Sequence, residues 1–220
     1  MDKYLKKLKP SMMKYLYSHY DKEDAENRWR KTVELDEKWI REEGDIGGSK
    51  NMFSKDLLLC YATCAFYEAV DRNYSSDDFN LLVNEVMKTP FKLMNKLDMN
   101  KLEKRKGVMK IAYRYFSNYK KKADKYRGNK WDNTCKLEIN PEKKETGFAF
   151  TLYSCPLYEF AKKHGYTDFL PNLCSIDHMM AKALHAKLIR HSRLSAGDDC
   201  CAYWFVGDRT ENALKNTDSK

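Results

Sequence analysis

Three places in the chain set a thiol beside a group that can move its proton. Cys155 directly precedes Pro156, at the head of PLYEFAKKHG. Cys174 stands three residues before Asp177 and four before His178. Cys200 and Cys201 follow Asp198 and Asp199 in SAGDDCCAYWF. The thiolate is the nucleophilic form of cysteine, and a thiol at a helix start meets unpaired N–H groups and the positive end of the helix dipole, which lower its pKa. A nearby carboxylate or imidazole can then take or return the proton. Nucleophilic and proton-transfer chemistry is therefore open to these residues. Packing alone is the competing reading, because a free cysteine also serves as a small buried hydrophobe.

Other chemistries fit less well. A zinc site would draw on Cys174, on Asp177 or His178, and on Cys200 or Cys201, but no Cys-x2-Cys or His-x3-His pair supports it. No metal and no cofactor are expected. Neither GxxxxGK[ST] nor GxSxG occurs, which leaves the usual phosphate cradle and nucleophile elbow without a candidate. The seven cysteines are odd in number and irregular in spacing, so they do not read as a disulfide framework. Adjacent cysteines on a strand point to opposite faces, which argues against a Cys200–Cys201 bridge. Cys60 and Cys64, four residues apart on an apolar helix, read as core.

The elements that must position these groups follow from periodicity. Lys22 to Glu43 carries Trp29, Val33, Trp39 and Ile40 at helical spacing and stops at Gly44. After the loop GDIGGSKN, Ser54 opens a second helix, and Ser75 or Ser76 opens a third that ends near Thr89-Pro90. A basic helix from about Lys101 to Arg127 closes at Gly128. Strand patterns then appear at TCKLEI (134–139) and FAFTLYS (148–154). A helix from Pro156 to Gly165, with Pro first and Gly last, comes next. YTDFLPNLC (166–174) reads as a linker, and Ser175 as the cap of a helix over 176–185. Two further strands, 187–194 and 200–206, are joined by SAGDD as a hairpin turn. The fold class is α+β: a helical N-terminal half, then a four-stranded antiparallel sheet with two helices inserted between strand pairs. One domain over 1–220 is expected, mainly helical to 130, sheet-containing from 131 to 207, with a polar tail over 208–220.

The net charge of +9 is concentrated. From Lys88 to Lys130 there are 15 Lys and Arg against 3 Asp and Glu, an excess of 12, so the rest sums to 9 − 12 = −3. The stretch also holds Tyr113, Tyr115, Phe116, Tyr119 and Tyr126. It reads first as a helix with solvated lysines and buried aromatics; nucleic-acid binding is ranked last. No stretch approaches the about 18 uninterrupted apolar residues of a membrane span, and the first residues hold no apolar core of signal-peptide length. A cytoplasmic protein with reduced thiols and no membrane partner is expected, with self-association into a homo-oligomer left open.

Four ordered pieces carry a resemblance to a known family. They are GGSKN (47–51), CPLYEFAKKHG (155–165), LCSIDHMMAKAL (173–184) and RHSRLSAGDDCCAYWF (190–205). Together they resemble the L-2-amino-thiazoline-4-carboxylic acid hydrolases, which show Cys-x-x-Asp in the third piece and a Gly-Asp turn, Cys and aromatic strand in the last. The resemblance implies a hydrolase that opens a small cyclic amidine at a C–N bond to a carbamoyl-cysteine-type product. It implies Cys174 or Cys155 as nucleophile, Asp177 as acid/base or orienting group, and Cys201 and Asp198 lining the pocket. Asn51 or Arg190 would hold the substrate carboxylate, with Tyr158 and His178 as further substrate contacts. Relatives place an acidic residue where this chain has Ala202. The last piece is also similar to the vinyl-reductase type of ligand-binding domain, which implies a binding module without catalysis.

Overall fold

In the computed structural model residues 1, 3–44, 46–51, 53–127 and 135–216 are described, and the chain divides into two compact units, 1–88 and 89–220. Asp45 of the glycine loop, the helix stop expected at Gly128, the strand start expected at Thr134 and the tail beyond 216 lie outside the described residues.

The first unit is helical. A helix absent from the sequence reading, α1 (Lys3–His19), buries Leu5, Leu8, Met12 and Leu16 along one stripe. Pro10 sits inside it on the exposed side. An interior proline removes one helical hydrogen bond and masks the pattern, while the buried stripe supplies the stabilisation that offsets it. Helix α2 (Lys22–Glu43) starts at Asp21, whose carboxylate accepts the Asp24 N–H at 2.9 Å. It packs chiefly on α3 (Ser54–Ala69), which is buried nearly all round and includes Cys60 and Cys64 at 0% exposure. Ser54 is the first buried residue of α3 rather than its cap; Phe53 holds the cap position with no side-chain bond. Helix α4 (Ser76–Val86) does begin on a serine cap, with Ser75 Oγ accepting the Asp78 N–H at 3.1 Å.

The second unit opens with α5 (Lys88–Met94) and the short α6 (Met99–Leu102). The basic helix, α7 (Lys106–Tyr126), begins later than expected because Arg105 leaves helical geometry at φ −95°, ψ 90°. Strands β1 (Leu137–Ile139) and β2 (Phe148–Leu152) follow, then α8 (Pro156–His164) and α9 (Leu170–Ala183). Strands β3 (Ala186–Ile189) and β4 (Cys201–Gly207) complete one antiparallel sheet in the order β1-β2-β4-β3. A single 3-10 turn, Leu194–Ala196, ends at Gly197 with φ 93° and forms the bend between β3 and β4. Gly147, before β2, is required by close approach: a Cβ there would lie 2.2 Å from the Phe205 carbonyl oxygen.

The register sorts the sheet residues onto two faces. Leu137, Ile139, Phe148, Phe150, Leu152, Leu188, Cys201, Tyr203 and Phe205 share one face, and α7 lies over part of it. Phe116 of α7 sits 4.6 Å from Phe148 and 5.3 Å from Phe150, between ring centres. The other face carries Ala149, Ile189, Trp204 and Val206, which join Ala213 in a buried cluster. Ala213 belongs to α10 (Glu211–Lys215), capped by Thr210, in the region expected to be a polar tail. One buried alanine and a 2.7 Å bond from Lys187 Nζ to the Ala213 carbonyl hold this short helix down.

Candidate active site

The aromatic face of the sheet carries the thiol chemistry. In the β2–β4 register Leu152 faces Cys201 and Phe150 faces Tyr203, so alternation puts Cys201, Tyr203 and Phe205 together and sends Ala202 to the far face, opposite Thr151. Cys200 lies just outside the strand with its sulfur 3.4 Å from Ser192 Oγ. All seven cysteines are free thiols.

Arg190 follows directly on β3 and is 1% exposed. Its Nη2 donates to Asp177 Oδ2 at 2.9 Å. Its guanidinium carbon lies 4.4 Å from the centre of the Tyr203 ring, a cation–π arrangement. Tyr203 in turn stacks on Phe150 at 4.6 Å and 9° between ring planes. Phe150, Tyr203, Arg190 and Asp177 therefore form one continuous stack from the sheet to α9.

Helix α9 brings Cys174 and Asp177 to the same place, since residues three apart lie on one side of a helix. Cys174 was expected in front of this helix with Ser175 as its cap. It lies inside α9 instead, because Pro171 fits the first helical turn, where its missing N–H costs nothing. Ser175 Oγ donates to the Asn172 carbonyl at 2.6 Å. Helix α8 begins at Cys155, as expected, with Pro156 first and Gly165 in the left-handed region at φ 74°. Cys155, Cys174 and Cys201 interact electrostatically with one another, and Leu194 N donates to the Cys201 sulfur at 3.3 Å.

The expected pKa of Cys155 is corrected by its surroundings. Burial pushes it far up, and the amides of Tyr158 and Leu157 at the helix start do not outweigh that cost. Cys155 also makes no capping hydrogen bond. Burial raises Cys174 to about 11, against the pull of Arg190, and raises Cys201 as well. Near neutral pH all three thiols are protonated. Burial also raises Asp177, with Arg190 and a hydrogen bond from Tyr203 acting the other way. The Asp177 side chain keeps 35% of its surface accessible although protein crowds it closely. Tyr203 is raised well above its ordinary value by burial and by Asp177. Burial opposes the Arg190 charge, but Tyr203, Asp177, Cys174 and Cys201 together hold its pKa up. The site thus offers one Asp–Arg pair among neutral thiols and aromatic rings.

The structure brings Cys155, Cys174, Asp177, Arg190 and Cys201 together. His178 adjoins them through its electrostatic contact with Asp177. Tyr158 lies in the first turn of α8, with its amide toward Cys155 and its ring 5.9 Å from Lys162 Nζ. Asp198 is exposed and accepts the Arg193 N–H at 2.7 Å, which ties the bend before β4. Asn51 belongs to the first unit, where it is buried, donates to the Ile46 carbonyl at 2.7 Å and accepts the Phe53 N–H at 3.1 Å. Tyr203, Phe150 and Ser195 were not picked out by sequence reasoning. Strand alternation from Cys201 would have found Tyr203; Ser195, which hydrogen-bonds Cys174, had no such signal. Among the described residues no group of three or more His, Cys, Asp or Glu is placed to hold a metal ion.

The family model for L-2-amino-thiazoline-4-carboxylic acid hydrolase matches residues 57–205 of the 220. The chain belongs to this family. Cys155, Cys174, Asp177, Arg190, Cys201 and Tyr203 all fall within the matched span. Among curated proteins and among solved structures, none matches the chain. Ala202, at the position where the resemblance implies an acid, stands on the face of the sheet away from Tyr203 and Cys201. A carboxylate at 202 would therefore stand apart from the Asp177–Arg190 side.

Proposed function

We propose that this hydrolase-family chain opens a small cyclic amidine at the site formed by Cys174, Asp177 and Arg190. The reading rests chiefly on one observation, the meeting of the Cys-x-x-Asp pair of α9 with the buried Arg190 within the matched span. The amidine carbon of a thiazoline is electrophilic, and its ring nitrogen must gain a proton to leave. Cys174 is the attacking thiol. Its proton passes to Asp177 as the C–S bond forms, and Asp177 returns a proton to the ring nitrogen as the C–N bond breaks. Water then adds to the same carbon and expels the Cys174 sulfur. Its oxygen becomes the carbonyl of a carbamoyl-cysteine-type product, and its protons restore the thiol and the product nitrogen. A carboxylic acid with a raised pKa suits both halves of this exchange. Arg190 orients Asp177 and supplies positive potential for a developing thiolate and for a substrate carboxylate. Cys155, Cys201, Tyr158 and His178 surround the substrate, with Asp198 as a further contact.

The test is ring opening of the thiazoline carboxylate by Cys174→Ala, Cys155→Ala and Cys201→Ala. Cys174→Ala is expected to lose at least about a hundredfold in kcat, as for other nucleophile removals, with smaller losses in the other two. Full activity in Cys174→Ala would overturn the assignment.

The neutral thiols and the Phe150–Tyr203 stack also favour a second reading, a pocket that binds a small apolar ligand without turning it over. Thermal stabilisation by the thiazoline with no carbamoyl-cysteine product identifies that case.

A further inference from the structure

Within the second unit, large apolar side chains stand in solvent beside cations in a repeated arrangement. Leu93 is 66% exposed, Leu97 48%, Ile111 70% and Tyr115 61%. Each directly follows an exposed cation: Lys92, Lys96, Lys110 and Arg114. In both segments the second pair follows the first by four residues, so one helical or near-helical side repeats the same chemistry. Further along the solvent side of α7 come Lys121 and Lys122. Among the described residues Lys92, Lys96, Lys110, Arg114, Lys121 and Lys122 make no ion pair. Asp124, the one acid of α7, is already engaged by Lys120 and Arg127. The inward side of α7 carries Tyr113, which bonds at β2, Phe116, which packs on Phe148, and the buried Tyr119. Ile111 and Tyr115 stand on the exposed side, Tyr115 touching only the edge of Phe116 among the described aromatic rings.

We infer that these exposed stretches at α5 and α7 dock on an anionic lipid bilayer, with the cations meeting headgroups and the four apolar side chains entering the headgroup–acyl boundary. Both forces needed for a reversible surface contact are present: unpaired positive charge and exposed apolar area in the same short segments. The apolar residues decide the occupant. A nucleic acid would also be drawn by the charge, but it uses aromatic rings on which bases stack. Leu93, Leu97 and Ile111 are aliphatic and offer no stacking plane, whereas transfer to hydrocarbon rewards all three. The contact is peripheral, since no helix among the described residues is long and apolar enough to cross a membrane.

The full chain should be sedimented with vesicles of phosphatidylcholine alone and of phosphatidylcholine with about 30% phosphatidylserine, in about 0.05 M and about 0.5 M salt. Binding to the anionic vesicles is expected to be at least about tenfold tighter and to weaken in high salt. The variant Leu93→Ser, Leu97→Ser, Ile111→Ser, Tyr115→Ser keeps every charge and is expected to lose about tenfold or more in anionic-vesicle affinity, with circular dichroism and Tm unchanged. Lys110→Glu with Arg114→Glu should erase the preference for anionic lipid. Equal binding to both vesicles, or none, overturns the inference. It is equally overturned if the four-serine variant binds vesicles as the parent does, or if the surface prefers an RNA or DNA oligonucleotide that the serine variant still holds. These readouts are independent of ring opening.

Discussion

The two faces of the β1-β2-β4-β3 sheet are made from alternate residues of the same strands, yet their chemistry differs. On one face Phe150 and Tyr203 stack, Tyr203 lies under Arg190, and Arg190 pairs with Asp177 beside three thiols. On the other, Ala149, Ile189, Trp204 and Val206 close against Ala213 with no charge in the cluster. The first face accepts the cost of a buried ion pair and neutralised thiols, which a packing role alone does not require. The second is an apolar core at whose edges two cations stand, Lys187 bonded to the Ala213 carbonyl of α10 and Lys144 over the Trp204 ring. A position's face therefore decides more than its identity: Cys201 and Ala202 are neighbours in sequence and belong to different parts of the protein's chemistry.

Substitutions on each face would break this contrast if it is misplaced. The largest effect on stability is expected from Arg190→Ala, which leaves Asp177 without its partner. A loss of about 3 kcal/mol in urea unfolding is expected, toward the low end for a buried pair because Asp177 is partly open. Trp204→Ala, on the apolar face, should cost a comparable about 3 kcal/mol through its cavity. Unlike Arg190→Ala, it should leave the alkylation rate of Cys174 unchanged; a parallel change in thiol reactivity would show that the faces are coupled.

The thiols sharpen the comparison through pH. Alkylation of Cys174 by iodoacetamide should rise with a midpoint near pH 11 rather than the ordinary about 8.5. Its folded pKa is raised, so the native state holds the proton longer than the unfolded state does. The associated stability is fully present below about pH 8.5 and is lost as pH rises toward 11. Denaturation of Cys174→Ala should accordingly vary less over that window, and an identical pH profile in parent and variant would remove the linkage. The smallest effect is expected from Ala202→Asp. Facing Thr151 on the far side, it should change Tm by no more than a degree or two and leave the Cys174 midpoint where it was. A marked shift in that midpoint would place residue 202 on the wrong face here.

Much of this was readable from local rules. Gly165 after a helix opened by Pro156, the Ser75 cap of α4 and the strands of the second unit each follow from one residue type meeting one backbone need. The Cys-x-x-Asp spacing and Cys201 likewise marked the site. Helix α1 was hidden by Pro10, α10 by a polar composition, and the true start of α9 by a proline that reads equally as a break or as a first-turn residue. Tyr203 passed as one more strand aromatic because its partner Arg190 lies past the end of β3, far from it in sequence.

The sequence alone determined the α+β order and the opposition of adjacent residues such as Cys201 and Ala202 on a strand, since strand and helical periods act over a few residues. The start of α9 that puts Cys174 on one side with Asp177 came from the structure. Only the tertiary structure decided the ionisation of the thiols. A helix start promises Cys155 a lowered pKa, but desolvation depends on every segment that packs around it, and burial there is the stronger effect. The meeting of Asp177 with Arg190, and of Arg190 with Tyr203, was settled in the same way, by the strand order and by the packing of α9 against β3.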